Sequence, residues 1–470
     1  MERVLGHVLL TTSGTAGDVV PFLRLGVALK ARGHAVTLAS HGYYARESSQ
    51  KELDFIALDD AAAFERFIED GHLLNSTAGV PKFLQQHILP QALQQCRLIE
   101  RACTPETVVV SLASPGIVGR LVAEKCRLPY VSVLMAPSYV ETLRFVEALL
   151  AAFGAQINEI RTSFGLEPVT QWASWWQAVD RYLGLWPEWF GPCGPTPFAG
   201  PCAPAGRPLP APVTFAGFLW QEERADADIR PADADVPGEI EAFLAGKPAP
   251  VLITGGTGNF GGDEFFRVST QACRQLDRPA ILVARLPQIL PADLPANLRW
   301  FRRVPSLGAL AARSAVVIHH GGMGILSQAL EAGVPQVVLA AGGDRPDNAA
   351  RVQQLGVGAF LSRPRWQAEK VREALQRMST SASVAQRCHE IAAHLQNADP
   401  AQAACECIEA AMQSPRAGEH TPARGEKLPS PQAAKVEGLR QSLKQLTPQQ
   451  QAFLMARLRR KDDKPLEEKQ

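Results

Sequence analysis

The feature that most constrains the fold is a repeated order of segments: an apolar run, a glycine-rich turn and then a helical pattern. Val4–Thr11 is such a run, and it stops at the turn 13–17. Apolar residues then recur at helical spacing within Pro21–Arg32, and Ala35–Ser40 is the next run. Continuous apolar runs bounded by turns are typical of buried parallel strands. The order therefore predicts a βαβ unit in a parallel sheet with helices on both faces.

A second series of the same kind begins at Pro250, so we predict an α/β protein with two doubly wound, Rossmann-like domains that face a cleft. The further predicted strands are Thr107–Ser111, Tyr130–Leu134, Val251–Thr254, Ile281–Ala284, Val316–His319 and Gln336–Ala340. The predicted organisation is a first domain 1–220, a linker 221–236, a second domain 237–412, a disordered linker 413–432 and a helical tail 433–470.

The composition argues against two classes of protein. The chain has 48 basic and 47 acidic side chains, and nucleic-acid binding needs a basic excess to neutralise phosphates. No apolar run reaches the roughly 20 residues that span a bilayer. The first apolar run is too short for a secretory signal, so we expect a cytoplasmic protein. The nine cysteines are scattered, which favours reduced thiols over disulfides or a zinc site.

The strongest candidate site is the stretch His319–Gly324, which follows a predicted strand and opens a predicted helix. Glycines let backbone N–H groups approach an anion closely, and a helix N-terminus adds partial positive charge. A histidine side chain in the first turn can donate to the same anion, and a diphosphate suits this arrangement. The alternative is a glycine-rich turn over a buried histidine.

Two further loops place charged side chains directly after predicted strands. Asp18 follows the first strand and can act as a general base, as a cap of the helix that begins near Pro21, or as both. Asp344 and Arg345 follow Gln336–Ala340, beside the anion site. Because Gly-Asp-x-Pro is also a favourable turn sequence, turn formation alone is the alternative for this pair.

Five motifs in this order resemble those of family 1 glycosyltransferases. They are Gly-x-x-Gly-Asp-Val-x-Pro (14–21), His-His-Gly-Gly-x-Gly (319–324), Ala-Gly-Val-Pro-Gln (332–336), Gly-Asp-x-Pro-Asp-Asn-Ala (343–349) and Arg-Val-x-x-Leu-Gly-x-Gly (351–358). The chain is similar to bacterial sterol, macrolide and glycopeptide glycosyltransferases and, within Leu307–Gln336, to the rhamnosyltransferase of rhamnolipid synthesis. The resemblance covers about residues 5–410 and implies the two-domain GT-B fold.

The resemblance implies an inverting transfer, without metal or cofactor, from a uridine or deoxythymidine diphosphate sugar to an acceptor hydroxyl. Asp18 matches the position of the base that takes the acceptor proton. A larger set matches the donor site. It consists of Thr15, Thr257, His320, Gly321, Gly322 and Gly324 near the diphosphate, Gln328 at the ribose, Arg303 and Val304 at the base, and Asp344 with Arg345 at the sugar.

Three residues depart from the family pattern. Ile325 stands where many members have a Ser or Thr that binds phosphate. Gln328 stands where many have a Glu, which leaves the choice between uridine and deoxythymidine diphosphate open. Arg345 replaces the usual Gln after Asp344 and predicts an altered donor, such as an acidic sugar.

The acceptor side is expected in the first domain, which carries a dense group of tryptophans: Trp175, Trp176, Trp186 and Trp189. These rings either line an apolar acceptor pocket or pack in a core under long loops. The first interpretation favours a hydrophobic natural product, a lipid, or a peptide or polyketide as acceptor. Two Asp-x-Asp pairs at 226–228 and 233–235 resemble a metal motif, but no strand precedes them, so we expect solvated linker charge.

The tail is a separate object, because residues 414–470 hold 12 basic and 7 acidic side chains. Leucines at helical spacing and a capping sequence that starts at Thr447 predict short amphipathic helices within 433–461. This part resembles terminal docking segments of nonribosomal peptide and polyketide synthase subunits. Docking to such a partner, packing on its own body and peripheral membrane contact remain open. For the whole chain, the alternative function is a catalytically inactive auxiliary subunit.

Overall fold

A computed structural model describes residues 5–76, 79–113, 116–140, 150, 152–191, 211–220, 237–258 and 261–413. These residues belong to one compact unit that contains two parallel β-sheets. The predicted linker 221–236, residues 414–432 and the predicted tail 433–470 lie outside the described residues.

The first sheet has seven parallel strands in the order β3-β2-β1-β4-β5-β6-β7. These strands are β1 (His7–Thr11), β2 (Ala35–Ser40), β3 (Asp54–Ala57), β4 (Thr107–Leu112), β5 (Tyr130–Leu134), β6 (Arg181–Gly184) and β7 (Val213–Phe215). The helices of this half are α1 (Ala16–Ala31), α2 (Ala45–Gln50), α3 (Ala61–Glu69), α4 (Gly79–Phe83), α5 (Leu89–Glu100), α6 (Ile117–Cys126), α7 (Gly154–Ser163) and α8 (Trp172–Gln177). The predicted parallel sheet is confirmed.

The second sheet has six parallel strands in the order β10-β9-β8-β11-β12-β13. They are β8 (Val251–Thr254), β9 (Ala280–Val283), β10 (Leu298–Phe301), β11 (Val316–His319), β12 (Gln336–Ala340) and β13 (Gly358–Ser362). The helices are α9 (Pro237–Leu244), α10 (Gly262–Gln275), α11 (Leu307–Ala312), α12 (Met323–Glu331), α13 (Arg345–Gln354), α14 (Ala368–Thr380), α15 (Ala382–Leu395) and α16 (Pro400–Met412). Short 3-10 segments at Gly42–Tyr44, Asp70–Asn75, Glu188–Phe190, Pro287–Ile289 and Arg363–Arg365 and a π turn at Leu84–Ile88 complete these elements.

The interior strand β1 explains why its following loop is fixed in space. Its residues pair on both sides, so that Thr11 lies opposite Ala39 of β2 and Ser111 of β4. Leu9 and Leu10 are fully buried, as expected for a strand covered on both faces. The loop after β1 therefore leaves from the middle of the carboxyl edge, where ligands bind in sheets of this type.

Helix α1 begins at Ala16, five residues before the predicted start at Pro21. Proline lacks the N–H group that would bond to the carbonyl four residues earlier, which belongs to Gly17. In this structure the Gly17 carbonyl accepts a hydrogen bond of 2.8 Å from the indole N–H of Trp220. Because an outside donor replaces the missing bond, the helix continues through Pro21. The sequence placed the boundary wrongly because this partner is 203 residues away.

The predicted second domain includes the last helix, α16, but in the structure this helix packs against the first sheet. It contacts α1 and strands β4 to β7, and it buries Ala404, Cys405 and Ile408 completely. Both guanidinium nitrogens Nε and Nη2 of Arg32 donate to Glu409 at 2.8 and 2.7 Å. This bond lowers the pKa of Glu409 to about 2. The chain thus returns to its first half after completing the second sheet. No described helix is long and apolar enough to cross a membrane.

Candidate active site

The loop after β1 folds back on the carboxylate of Asp18. Thr15 donates its backbone N–H to Asp18 Oδ2 at 2.9 Å, and its hydroxyl donates to the same atom at 3.3 Å. Thr15 precedes the first residue of α1, so Asp18 stabilises the start of the helix as in a capping box. The predicted capping role of Asp18 is therefore present. Both hydrogen bonds fall on Oδ2, and Oδ1 accepts none from the residues that the structure describes.

The surroundings of Asp18 favour its protonated form. Burial raises the pKa of Asp18 to about 6, and the nearby Asp344 carboxylate adds to this, while the Thr15 N–H bond acts in the opposite direction. With a pKa of about 6, Asp18 is mostly ionised at neutral pH but holds a proton more readily than an ordinary aspartate. General bases in active sites are commonly tuned in this manner.

The motif 319–324 holds its two histidines in different ways. His319 is fully buried, accepts the Gly321 N–H at Nδ1 (3.1 Å) and pairs through Nε2 with Gln336 Oε1 at 2.8 Å. Burial lowers its pKa to about 4. A neutral imidazole with Nε2 protonated satisfies both contacts. His319 therefore shapes the loop, a function that the sequence did not assign to it.

The ring of His320 lies between two glycine-rich loops. A Cβ atom added at Gly256 or at Gly322 would lie 2.6 Å from this ring, so both positions require glycine. Burial, Arg345 and His319 hold the pKa of His320 well below its usual value, against the effect of a bond to the Thr254 backbone. His320 is therefore neutral near pH 7. Its expected donation to a diphosphate stays a prediction, and the structure adds a packing role.

The N-terminus of α12 is a candidate anion site. Gly322 precedes the helix in extended conformation, and no side chain in the described residues caps it. Gly324 lies against the indole of Trp220, where an added Cβ would approach to 3.1 Å. Ile325 is buried in an apolar cluster, so the hydroxyl that many family members have here is absent. Backbone N–H groups and the helix dipole therefore remain as the means to hold an anion.

Gln328, the expected ribose contact, is bonded within the protein. Its Nε2 donates to the carbonyl of Trp220 at 3.3 Å. The same tryptophan donates to Gly17 at the start of α1. Trp220 thus connects the helix that carries Asp18 with the helix that carries Gln328. The sequence did not single out this residue, because its partners lie in both halves.

The loops at the carboxyl edges of the two sheets touch each other. The N–H of Ala16 donates to Thr257 Oγ1 at 3.2 Å. Beside this contact lies a cavity of about 300 Å³, and its lining includes Thr257, expected at the diphosphate, and Arg303 and Val304, expected at the base. Arg303 lies with its guanidinium 5.3 Å from the ring centroid of Tyr43, which belongs to the first half. The Arg303 guanidinium thus lies over a protein ring, and its expected contact with the nucleotide base stays a prediction.

Asp344 and Arg345 occupy the start of α13, between the two halves. Asn348 donates through Nδ2 to Asp344 Oδ2 (2.7 Å) and to the Gly321 carbonyl (3.0 Å), and so joins this loop to the histidine loop. Arg345 donates through Nη2 to Asn75 Oδ1 of the first half at 2.8 Å. Burial raises the pKa of Asp344, although Arg345 and Asn348 oppose that shift. This segment therefore forms the predicted turn, and its side chains also bond to neighbouring loops.

Tyr139 is a further member of this cluster that the sequence did not indicate. It follows β5 at the carboxyl edge of the first sheet, and its electrostatic neighbours are Asp18, Asp344 and Arg345. Burial, followed by the two carboxylates, raises its pKa well above the usual value, so the phenol keeps its proton. Polar residues from both sheets thus converge on one region of the cleft.

Two family models match successive parts of the chain. The glycosyltransferase family 28 N-terminal domain matches residues 8–143, and the erythromycin biosynthesis protein CIII-like C-terminal domain matches residues 273–410. These matches cover the loops with Asp18 and with His320, Asp344 and Arg345. The chain is a GT-B glycosyltransferase.

Relatives that match this glycosyltransferase over most of their length are also glycosyltransferases. It is 28% identical over 404 residues to O-mycaminosyltylonolide 6-deoxyallosyltransferase of Streptomyces fradiae, covering 78% of this chain and 88% of the relative. It is 28% identical over 374 residues to vancomycin aglycone glucosyltransferase of Amycolatopsis orientalis, covering 76% and 86%. The solved structure of the kitacinnamycin glycotransferase matches with a TM-score of 0.63 at 20% identity, covering 87% of this chain and all of that one.

Three of the four tryptophans considered for the acceptor pocket of the glycosyltransferase lie in the core instead. Trp175 and Trp176 are 7% exposed and Trp186 is 0% exposed, so these rings belong to the core. The indole N–H of Trp175 donates to Glu124 at 2.7 Å, which satisfies its polar group inside the protein. Trp189 is partly buried and packs against the core cluster. The alternative interpretation, core packing, is the one observed. The Asp-x-Asp pairs lie outside the described residues.

The raised pKa of Asp18 predicts a pH-dependent effect on stability. The ordinary pKa is 3.8 and the folded value is about 6, so between these pH values the folded enzyme binds a proton that the unfolded chain does not. Ionised Asp18 therefore lowers the free energy of unfolding as the pH rises through this range. We expect Asp18→Asn, which keeps an oxygen for the Thr15 N–H, to unfold at a higher temperature than the wild type at pH 7.5. At pH 4.5 the difference should be much smaller; an equal difference at both pH values would contradict the assignment.

Proposed function

We propose that this enzyme is an inverting, metal-independent glycosyltransferase that moves a sugar from a uridine or deoxythymidine diphosphate sugar to a hydroxyl group of a hydrophobic natural product. The observation that carries the proposal is Asp18. It follows the interior strand β1 of the first sheet, and burial raises its pKa to about 6. It also lies close enough to Asp344, on the donor half, for the two carboxylates to interact.

In this proposal Asp18 removes the proton of the acceptor hydroxyl while its oxygen attacks the anomeric carbon. The bond from that carbon to the diphosphate breaks in the same step, and the nucleoside diphosphate leaves. A single displacement from the face opposite the leaving group inverts the configuration. Asp18 follows β1 of the first sheet, whereas the loops at 254–257 and 319–324 follow strands of the second, which suits a base and a leaving group on opposite sides of the sugar.

We assign the stabilisation of the negative charge that grows on the departing diphosphate to protein groups. The N-terminus of α12 at Gly322 and Gly324 presents backbone N–H groups, and Thr257 supplies a hydroxyl beside the cavity. Among the described residues, no group of three or more His, Cys, Asp and Glu side chains is arranged to hold a metal ion. In this proposal these oriented dipoles stabilise the departing diphosphate.

The acceptor class is inferred from the relatives. One is named for transfer to O-mycaminosyltylonolide and another for transfer to a vancomycin aglycone. Both names describe transfer to large natural products, and we extend that class to this chain. The acceptor hydroxyl has to reach Asp18, so the binding region is expected along the carboxyl edge of the first sheet and not among the buried tryptophans.

The first test of this function is a transfer assay with a panel of uridine and deoxythymidine diphosphate sugars and natural-product acceptors, read by mass spectrometry. We expect kcat/KM to rise with pH through a midpoint near 6, because Asp18 must be ionised to accept a proton. Asp18→Asn should lower kcat by at least about a hundredfold, as general-base catalysis contributes that much, and should still bind the nucleotide. A folded wild-type protein that binds nucleotides yet transfers no sugar would favour the inactive auxiliary subunit.

The second test concerns the donor sugar and Arg345. Its guanidinium lies next to Asp344, the residue expected at the sugar hydroxyls, and it also bonds to Asn75. We expect Arg345→Gln to change the order of preference among donors and to weaken use of acidic sugars most, because it removes a buried positive charge. Asn75→Ala is the matched control, since it removes the bond between the halves and keeps the charge. If both variants change donor preference alike, the guanidinium is not the selecting group.

The tail gives a third test. We propose that residues 433–461 bind a nonribosomal peptide or polyketide synthase partner, in line with the docking-like sequence. Because residues 1–417 belong to one compact unit, deletion of residues 418–470 should leave kcat for a free acceptor within about twofold while association with the synthase is lost. Loss of folding after the deletion would show that the tail packs on the enzyme itself. Binding of the full chain to acidic vesicles that the deletion abolishes would favour a membrane contact instead.

A further inference from the structure

A buried histidine outside the predicted site is bonded to the loop that carries Asp18. His41 follows β2, and its Nε2 accepts the backbone N–H of Gly14 at 3.0 Å. Its other nitrogen, Nδ1, lies 2.5 Å from Asp59 Oδ2. Because an N–H group donates to Nε2, the ring proton belongs on Nδ1 and is donated to Asp59. Asp59 Oδ1 accepts the N–H of Gly42 at 3.1 Å.

This histidine is held on every side. The side chains of His41 and Asp59 are both 6% exposed. The imidazole packs against Phe64 and Phe67, with ring centroids 5.0 and 4.8 Å away. A side chain fixed by two aromatic rings and a carboxylate offers one nitrogen in a defined direction. The Gly14 amide is the group that lies in that direction.

The loop that receives this bond has an unusual conformation. Gly14 has φ of +150°, a region that favours glycine. A Cβ atom at Gly14 would lie 2.3 Å from Asp18 Oδ2, so the carboxylate is in contact with the backbone at this point. A small rotation at Gly14 would therefore move Asp18. The hydrogen bond from Gly14 to His41 restrains that rotation.

We propose that His41, oriented by Asp59, is a positioning residue that fixes the loop 13–18 and thereby the direction of the Asp18 carboxylate. The inference rests on the proposed function, in which Asp18 is the general base. His41 is not assigned contact with the substrate, because its two ring nitrogens are occupied by Gly14 and Asp59.

The chain contains a matched control at the opposite end of β1. His34 is also buried, its Nδ1 accepts the N–H of Gly6 at 3.4 Å, and its Nε2 lies 3.1 Å from Glu409 Oε1. It therefore makes the same two kinds of contact, one to a glycine amide and one to a carboxylate. His34 lies far along the sheet from Asp18, so replacing it disturbs packing without touching the loop.

The experiment compares the full-length wild type with His41→Phe, His41→Gln and His34→Phe. Phenylalanine keeps the apolar packing and removes the acceptor, whereas the amide oxygen of glutamine can still accept the Gly14 N–H. Hydrogen exchange of the peptide 12–20 is the first readout, and kcat as a function of pH is the second. Asp344, Tyr44 and Tyr139 are the other titratable groups near Asp18, and none of these variants alters them.

We expect His41→Phe to speed exchange in peptide 12–20 and to lower kcat by about a hundredfold, the size of effect that a misplaced catalytic group produces. The pH midpoint of kcat should move above 6, since a loosened loop weakens the Thr15 N–H bond that holds the pKa of Asp18 down, and since His41 itself also lowers that pKa. His41→Gln should recover most of the exchange protection and most of kcat, and His34→Phe should change none of the three readouts.

Wild-type exchange and kcat in His41→Phe would overturn the proposal, as would an equal loss of kcat in His34→Phe. If His41→Phe does not fold, Asp59→Asn replaces it, because it removes the carboxylate that orients His41; unchanged loop exchange with an unchanged pH midpoint in Asp59→Asn overturns the proposal. A fully active Asp18→Asn would refute the base and not the loop restraint. In that case the exchange of peptide 12–20 alone decides whether His41 fixes the loop.

Discussion

The structure depends on the meeting of two carboxyl sheet edges. Each sheet is parallel throughout, so the loops that follow its strands all leave from the same edge. The bond from the Ala16 N–H to Thr257 shows that the loop after β1 and the loop after β8 are in contact. Neither loop contains enough chemistry for a transfer reaction alone. Because these edges meet, Asp18 at the start of α1 lies near Asp344 and the loops of the second sheet, which is the arrangement that the proposed reaction requires.

The contact between the two halves also explains why α1 continues through Pro21. Pro21 would ordinarily disturb the helix, because the carbonyl of Gly17 loses its donor. Trp220 supplies that donor, and its own carbonyl accepts from Gln328 on α12. The start of the helix with Asp18 is therefore completed by a residue that also touches the second half. A substitution at Trp220 would remove the indole donor of the Gly17 carbonyl and a side chain that packs between both helices.

The sequence predicted both sheets and the loops because these depend on local patterns. Apolar runs such as Val316–His319 and the glycines after them specify a strand and a turn without reference to distant residues. Trp175, Trp176 and Trp186 were misplaced because an aromatic cluster looks the same in a pocket and in a core. Burial decides between these, and burial depends on partners such as Glu124 that lie far away in the chain. His41, Tyr139 and Trp220 were missed for the same reason: each lacks a motif, and its importance arises from its neighbours.

Burial acts in opposite directions on the two kinds of titratable group in this cleft. It raises the pKa of Asp18 to about 6 and keeps that of His320 well below the usual value, because in each case the charged form loses hydration. Near pH 7 Asp18 is ionised and able to take a proton, whereas His320 is neutral and brings no full positive charge to a diphosphate. In the proposed anion site the positive potential is therefore assigned to backbone N–H groups and the N-terminus of α12. The glycines at 256 and 322 admit the neutral ring between the loops, because a Cβ atom at either position would lie 2.6 Å from it.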